Sequence, residues 1–241
     1  MWFRSMASSR LWNGLFLYVR RQMLPPCSSG RMNPQPLYLL GAGGHAKMVI
    51  EACYRSELYR VAGCFDREPL VPSLLGVPVH SDQDATFAQA IDSRSKFLVA
   101  IGENALRQRL TERLGAKGAE FAIVIAPSAY VSPSARLGAG TVVMPMAAIG
   151  ALADIGEGCI INTSSSIDHD GYLEAFAHVA PGCHLAGNVT VRTGAILGVG
   201  TSVIPNITIG EWAVIGAGTT VIRDIPARTK WVGCPARQIG S

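Results

Sequence analysis

The sequence predicts a small α/β domain of Rossmann type followed by an all-β parallel β-helix made of hexapeptide repeats. Three observations predict this fold class. Every sixth residue from Ile125 to Val221 is aliphatic, without a break in register. Ahead of that stretch, short apolar runs alternate with helical patterns, which is typical of a parallel sheet. A Gly-rich turn joins the first apolar run to the first helix.

The repeat period of six residues fits neither an α-helix nor a coiled coil. It fits a hexapeptide β-helix, in which each hexad gives one short strand and one turn, and three hexads close a triangular coil. Residues one coil apart then stack at about 4.8 Å. The aliphatic side chains point inwards, and small residues four positions later fit the narrow corners. Examples of these small residues are Ala147, Ala153, Cys159, Ala177 and Cys183.

We divide the chain into a leader (1–35), an α/β domain (36–125), the β-helix (126–226) and a C-terminal tail (227–241). Residues 1–31 hold five arginines and no acid, and their apolar run 15–19 is too short to span a bilayer. One interpretation is that the natural start is Met32, so that the leader is an upstream stretch or disordered. The other is a segment lying on a membrane surface.

The net charge of +4 comes from this leader. From Met32 onward, 16 basic residues face 17 acidic ones, so nothing favours nucleic acid as a partner. The six cysteines are scattered and form no C-x-x-C pair, which favours reduced thiols and a cytoplasmic location. We expect no integral membrane segment and no metal.

The α/β elements follow in order. Strands are predicted at 37–40, 61–65, 97–101 and 121–124. Helices are predicted from the Gly-rich turn to about residue 56, at 84–91, and from the turn at Gly102 to about residue 115. The Pro- and Gly-containing stretch 67–77 is predicted to be a mobile loop.

The Gly-rich turn is a candidate phosphate site. Gly41, Gly43 and Gly44 let a phosphate approach the backbone, and the helix that begins near His45 offers free N–H groups. Asp66 closes the second strand, where an acid usually meets a ribose or base. The domain has only half the length of a dinucleotide fold, so a mononucleotide or a nucleotide-linked sugar fits better. A tight turn without a ligand stays an alternative.

Three of the five histidines, His169, His178 and His184, lie in one short region of the repeat. His169 is followed by Asp170, and His178 comes nine residues after His169, which is half a coil. The two side chains therefore lie near different walls of one subunit and can share a site only across a subunit interface. A triangular prism offers three equivalent walls, so we expect a homotrimer.

Motifs along residues 36–239 resemble the hexapeptide-repeat nucleotide-sugar acetyltransferases. This group includes UDP-N-acetylbacillosamine and perosamine N-acetyltransferases and the sialic acid O-acetyltransferase family. The motifs are His169-Asp170, Phe176-Ala177-His178-Val179-Ala180-Pro181-Gly182, Ala186-Gly187-Asn188-Val189, Leu39-Leu40-Gly41-Ala42-Gly43-Gly44-His45, Val99-Ala100-Ile101-Gly102-Glu103-Asn104-Ala105-Leu106-Arg107 and Val232-Gly233-Cys234-Pro235-Ala236-Arg237. The left-handed sense of the β-helix is implied by this resemblance alone.

The resemblance implies acetyl transfer from acetyl-CoA to an amino group of a nucleotide-linked amino sugar, such as a UDP- or GDP-4-amino-4,6-dideoxy sugar. It makes His169 the general base and Asp170 the residue that orients it. His178, Val199 and Ala217 would contact acetyl-CoA. The nucleotide-sugar would contact Gly41, Gly43, Gly44, His45, Asp66, Arg67 and Gly102.

A non-catalytic scaffold or nucleotide-sugar sensor stays open, and so do two enzymatic functions. One is a sugar O-acetyltransferase of the same family. The other is a zinc β-helix enzyme of the carbonic anhydrase type, with His169, His178 and His184 as ligands.

Overall fold

The α/β domain is built on a mostly parallel sheet. The computed structural model describes residues 34–54, 56, 58–92 and 95–240, so nearly all of the predicted leader lies outside it. The elements are β1 (Gln35–Leu40), α1 (Gly44–Tyr54), β2 (Tyr59–Asp66), β3 (Ser73–Leu74), β4 (Val77–Ser81), α2 (Ala85–Asp92), β5 (Lys96–Val99), α3 (Asn104–Gly115) and β6 (Glu120–Phe121). The sheet order is β3-β4-β2-β1-β5-β6, with only β3 antiparallel to its neighbour.

The predicted loop at 67–77 is wrong in part, because β3 and β4 form a hairpin there. Leu74 and Val77 are buried in the domain core, and Val79 pairs with Cys64 of β2. The prolines and the glycine of this stretch argue against a strand when the sequence is read alone. β4 is ordered by its pairing with β2, a contact that the local sequence does not show. The predicted strand at 121–124 also differs, since Val124 already pairs with Val142 in the β-helix.

The β-helix consists of two-residue strands, and the second residue of every strand from β7 to β23 is one of the predicted aliphatic positions. The strands are β7 (Val124–Ile125), β8 (Tyr130–Val131), β9 (Arg136–Leu137), β10 (Val142–Val143), β11 (Ala148–Ile149), β12 (Asp154–Ile155), β13 (Ile160–Ile161), β14 (Ser166–Ile167), β15 (Tyr172–Leu173), β16 (His178–Val179), β17 (His184–Leu185), β18 (Thr190–Val191), β19 (Ile196–Leu197), β20 (Ser202–Val203), β21 (Thr208–Ile209), β22 (Val214–Ile215) and β23 (Thr220–Val221).

Three walls form the prism. The first wall contains β7, β10, β13, β16, β19 and β22; the second β8, β11, β14, β17, β20 and β23; the third β9, β12, β15, β18 and β21. Each strand from β7 to β20 pairs in parallel with the strand one coil later, so Val124, Val142 and Ile160 stand in one column. The turns between walls form the 1–2, 2–3 and 3–1 corners.

The interior follows the predicted pattern. The aliphatic positions from Leu137 onward are at most 4% exposed, and they form one continuous cluster with the small corner residues. Buried threonines occupy some small-residue positions because their hydroxyls donate to turn carbonyls. Thr141 Oγ1 donates to Gly156 O at 2.8 Å, and Thr201 Oγ1 donates to Gly198 O at 2.7 Å.

The segment 227–241, predicted to be a tail, closes the C-terminal end of the prism. β24 (Lys230–Val232) continues the first wall beside β22, and β25 (Arg237–Gln238) folds back on it as an antiparallel strand. Trp231 packs against the β-helix core and Ala236 is fully buried. Stacked coils leave an open apolar end, which this hairpin covers.

The α/β domain docks on the first wall. Val142 and Ile160 point outwards from that wall and join a buried cluster with Ala46, Val49 and Ile50 of α1. The next residue in the same outward column is His178, so docking brings the N-terminus of α1 towards it. None of the helices among the described residues is long and apolar enough to cross a membrane.

Candidate active site

His169 and Asp170 form a pair at the 2–3 corner. Asp170 has a left-handed backbone conformation with φ of 57°, which a short polar side chain tolerates. Its Oδ2 accepts a hydrogen bond from His169 Nδ1 at 2.8 Å. This contact raises the pKa of His169, and the charge of Asp168 raises it further. The pair is exposed, and Nε2 of His169 is left as the nitrogen that can take a proton from a ligand.

Gly187 fixes the position of the His169 ring, a role that the sequence analysis missed. Gly187 lies one coil after His169, and Asn188 N donates to His169 O at 2.9 Å. An ideal Cβ on Gly187 would lie only 2.5 Å from both Cε1 and Nε2 of His169. The imidazole therefore lies directly over the glycine, and only the missing side chain permits this. The eighteen-residue stacking of the coils is the signal from which this role could have been found in the sequence.

His178 lies on the first wall and faces the α/β domain. Its ring is largely buried, next to Gly102, and Nε2 lies 3.4 Å from Asn162 Nδ2. Burial lowers its pKa to about 4, and the charges of Arg107 and His45 contribute. His178 is therefore neutral at physiological pH. Asn162 Nδ2 is a donor, so Nε2 accepts and the one N–H of the neutral ring is on the buried Nδ1.

Val199 and Ala217 are both exposed at the 1–2 corner, on consecutive coils. Gly218 N donates to Val199 O at 2.8 Å, which holds the two turns together. This corner adjoins the wall that carries His178, so the three residues predicted to contact acetyl-CoA lie on one side of the prism. Their contact with acetyl-CoA stays a prediction.

The Gly-rich turn is open to solvent. A Cβ on Gly43, Gly44 or Gly102 would touch nothing within 4 Å, so a ligand can reach their backbone. Gly41 differs, since it has a φ of 109° and a Cβ there would lie 2.9 Å from the Ile101 side chain. It is needed for the tight turn itself.

Asp66 orders this turn. Its Oδ2 accepts from Ala42 N at 2.9 Å and its Oδ1 accepts from Glu68 N at 3.2 Å. The carboxylate therefore links β2 to the Gly-rich turn, and its contact with a ribose or base stays a prediction. The neighbouring Arg67 is exposed at the rim of the turn.

His45 is the second residue of α1 and lies near His178. Burial and the charge of Arg107 lower the pKa of His45 to about 4. Its Nε2 is buried and has no hydrogen-bond partner among the described residues. His45 joins His178 and Gly102 where the two domains meet.

The structure places the four predicted histidines at three separate positions of one subunit. His45, Gly102 and His178 meet at the domain junction, whereas His169 and Asp170 lie at the 2–3 corner. His184 lies on a third surface, the second wall, where Ser166 Oγ is 2.9 Å from its Nδ1. Among residues 34–240, with their short gaps, no three His, Cys, Asp or Glu side chains of one subunit are grouped to hold a metal.

The second wall carries a shallow open groove lined by Ala148, Ser166, His184, Ser202 and Ile204. The exposed Tyr130 lies at one end of this groove. Small side chains such as Ala148, Ser166 and Ser202 form part of its lining.

The chain is similar to several known acetyltransferases. Residues 36–114 match the family model of the PglD N-terminal domain. The chain is 40% identical over 111 residues to a UDP-N-acetylbacillosamine N-acetyltransferase of Bacillus subtilis (strain 168). That match covers 44% of this chain, and it spans about half the length of the curated relative.

Solved structures match nearly end to end. A histidine-to-asparagine variant of perosamine N-acetyltransferase from Caulobacter crescentus, solved with CoA and GDP-perosamine, is 42% identical with a TM-score of 0.81. This match covers 86% of this chain and 97% of that one. The acetyltransferase domain of PglB from Neisseria gonorrhoeae, solved with acetyl coenzyme A, is 33% identical with a TM-score of 0.77, covering 86% and 100%.

These matches confirm the predicted fold class, an α/β domain followed by a left-handed β-helix. They also confirm the resemblance drawn from the sequence motifs. The chain belongs to the hexapeptide-repeat family of nucleotide-sugar N-acetyltransferases, together with the perosamine and UDP-N-acetylbacillosamine enzymes.

Proposed function

We propose that this protein transfers the acetyl group of acetyl-CoA to the amino group of a nucleotide-linked amino sugar, as a cytoplasmic homotrimer. The observation that carries the proposal is the exposed His169–Asp170 pair, joined at 2.8 Å and held over Gly187. The relatives that were solved with CoA and GDP-perosamine supply the chemical class of both substrates.

In the proposed reaction, the sugar amine attacks the thioester carbonyl carbon and a C–N bond forms. His169 Nε2 takes a proton from the attacking nitrogen, and Asp170 stabilises the imidazolium that results. The C–S bond then breaks, and the departing CoA sulfur receives that proton. The products are an N-acetyl sugar nucleotide and free CoA thiol.

The other groups bind and orient the substrates. The neutral His178 contacts the thioester region of acetyl-CoA and helps to position its carbonyl. Val199 and Ala217 hold the CoA arm along the 1–2 corner. The Gly-rich turn binds the phosphates of the nucleotide-sugar, and Asp66 and Arg67 lie at the same rim. This assignment is supported by the open space above Gly43, Gly44 and Gly102.

Turnover tests the reaction. Thiol release from acetyl-CoA is measured with UDP-, dTDP- and GDP-linked 4-amino sugars, and the products are identified by mass spectrometry. His169→Ala should lower kcat by at least about 10²-fold, the scale of a lost general base. His80→Ala, on β4 and outside the site, is the matched control. A fully active His169→Ala variant would remove His169 from its role.

Complementation tests the trimer. If each site takes His169 from one subunit and His178 from the next, inactive His169→Ala and His178→Ala chains restore activity when co-expressed. Random mixing restores about a quarter of wild-type turnover, since about three quarters of the trimers are mixed and each holds one intact site. Mixed trimers that are isolated by two different tags and show no activity would contradict a shared site.

A further inference from the structure

The first turn of α3 binds the 3–1 corner of the β-helix through two side chains. Asn104 Nδ2 donates to Gly194 O at 3.0 Å and to Ala195 O at 3.3 Å. Arg107 Nε donates to Gly158 O at 2.7 Å, and its Nη2 donates to Phe176 O at 2.9 Å. Gly158, Phe176 and Gly194 stand one coil apart, so this turn contacts three consecutive coils.

Arg107 also bonds the rim of the α/β sheet. Its Nη1 donates to Ile101 O at 3.1 Å and to Gly102 O at 3.2 Å. One guanidinium therefore joins the loop after β5, which is part of the proposed nucleotide-sugar site, to the β-helix. Phe176 lies two residues before His178, so the bond to Phe176 O fixes the strand that carries His178.

Docking alone does not require a charge at this position. Arg107 is 1% exposed, and no carboxylate among the described residues bonds it. Burying a charge costs several kcal/mol, which is why buried ionic groups are weak evidence for stability. Burial lowers the pKa of Arg107 to about 10, so the guanidinium stays protonated at neutral pH.

The buried charge acts on the neighbouring histidines. The groups facing His178 are Arg107 of α3, His45 of α1, the Gly102 carbonyl and the Asn162 amide. Arg107 lowers the pKa of both His178 and His45, in addition to the effect of burial. Near Arg107 itself, the carboxylate of Glu103 favours the charged guanidinium. Burial, as the larger effect, and this charge together keep both imidazoles neutral beside the proposed thioester site.

We propose that Arg107 is a positioning residue for acetyl transfer. It holds the strand that carries His178 at a fixed distance from the sheet rim at Gly102, so that donor and acceptor substrates meet in reactive geometry. This proposal rests on the proposed function and deepens it. Misplacing reacting groups by about 1 Å can cost about 10²-fold in rate.

Three variants test this role in the full-length protein. Arg107→Lys keeps the charge, but a single ammonium group lacks the planar fork that serves four carbonyls. Its kcat should fall by about 10²-fold, with the KM for acetyl-CoA nearly unchanged. Arg107→Met should lose as much turnover. Arg113→Gln, on the same helix, removes a surface ion pair with Asp82 and should leave turnover unchanged.

A histidine titration by NMR separates positioning from a merely structural role. The His178 signal, assigned with a His178→Gln variant, should titrate at higher pH in Arg107→Met, whereas Arg107→Lys should keep the wild-type value. A lower melting temperature with unchanged kcat per folded protein and an unmoved titration would overturn the proposal. If the Arg107 variants do not fold, Asn104→Ala takes their place. It should lower kcat about tenfold, since it loosens one of the three coil contacts, and an unchanged kcat would overturn the proposal.

The outcome also distinguishes the two proposals. A wild-type protein that turns over no amino-sugar nucleotide refutes the proposed function. An active wild-type protein with equally active Arg107→Lys and Asn104→Ala variants refutes the positioning role alone.

Discussion

Gly187→Ala is expected to damage catalysis while sparing the fold. The new Cβ would lie 2.5 Å from Cε1 and Nε2 of His169, against about 3.5–4.0 Å for an ordinary carbon contact. The obstacle is the end of a side chain, and Gly187 does not have the positive φ that would strain an alanine. The imidazole can therefore turn away at little cost in free energy of unfolding.

The displacement follows from these distances. The ring must move by about 1 Å or more to restore contact distance, and the move breaks the 2.8 Å bond from Nδ1 to Asp170. Both the position and the orientation of the proposed base are lost. We expect kcat to fall by about 10²-fold while the free energy of unfolding changes by less than about 1 kcal/mol.

Steady-state thiol release and urea denaturation measure the two effects. Gly115→Ala is the matched control, since a Cβ there would meet the Phe121 ring at an ordinary 3.7 Å and Gly115 lies outside the site. It should retain full turnover. The reasoning fails if Gly187→Ala is as active as the control, or if it loses activity only because it unfolds.

Three further changes give distinct expectations. Asp170→Asn replaces the carboxylate that raises the pKa of His169 with a neutral acceptor, so the acid limb of the kcat/KM profile should move to lower pH, and an unmoved limb would contradict this. Glu103→Ala removes the N-cap of α3, where the carboxylate accepts from Ala105 N at 2.9 Å and Leu106 N at 2.6 Å. Urea denaturation should show a loss of about 0.5–2 kcal/mol. Stability should also fall as pH drops from about 6.5 to about 4, because His45 and His178 bind protons more tightly in the unfolded chain. Each contributes up to about 3 kcal/mol, and His45→Asn should flatten this dependence.

The sequence by itself determined the β-helix, its register and the identity of the His169–Asp170 pair. A repeat is a local property, since each hexad must place one aliphatic side chain inside and one small residue at a corner. The pattern therefore recurs in the sequence at a fixed spacing. The Gly-rich turn could also be predicted from the sequence, because a tight turn between a strand and a helix needs glycine at set positions.

The sequence alone does not say which residue caps the N-terminus of α3. Two adjacent polar residues, Glu103 and Asn104, stand at the start of α3, and Glu103 is the N-cap. Asn104 instead reaches the β-helix, where Gly194 O accepts its amide proton. Local sequence could not tell these uses apart, because both need a polar side chain at the start of a helix.

Only the tertiary structure decided how the two domains meet. Arg107 bonds carbonyls 51 and 69 residues further along the chain, and Asn104 bonds one 90 residues away. Such contacts produce no periodic pattern in the sequence, since a backbone carbonyl accepts a hydrogen bond whatever the side chain of its residue. The β3–β4 hairpin and the C-terminal hairpin that contains Trp231 and Ala236 were not predicted either, because both depend on contacts with other parts of the chain. These hairpins are ordered by pairing with other strands of the fold. The prism instead follows from a six-residue repeat that is visible in each short segment of the sequence.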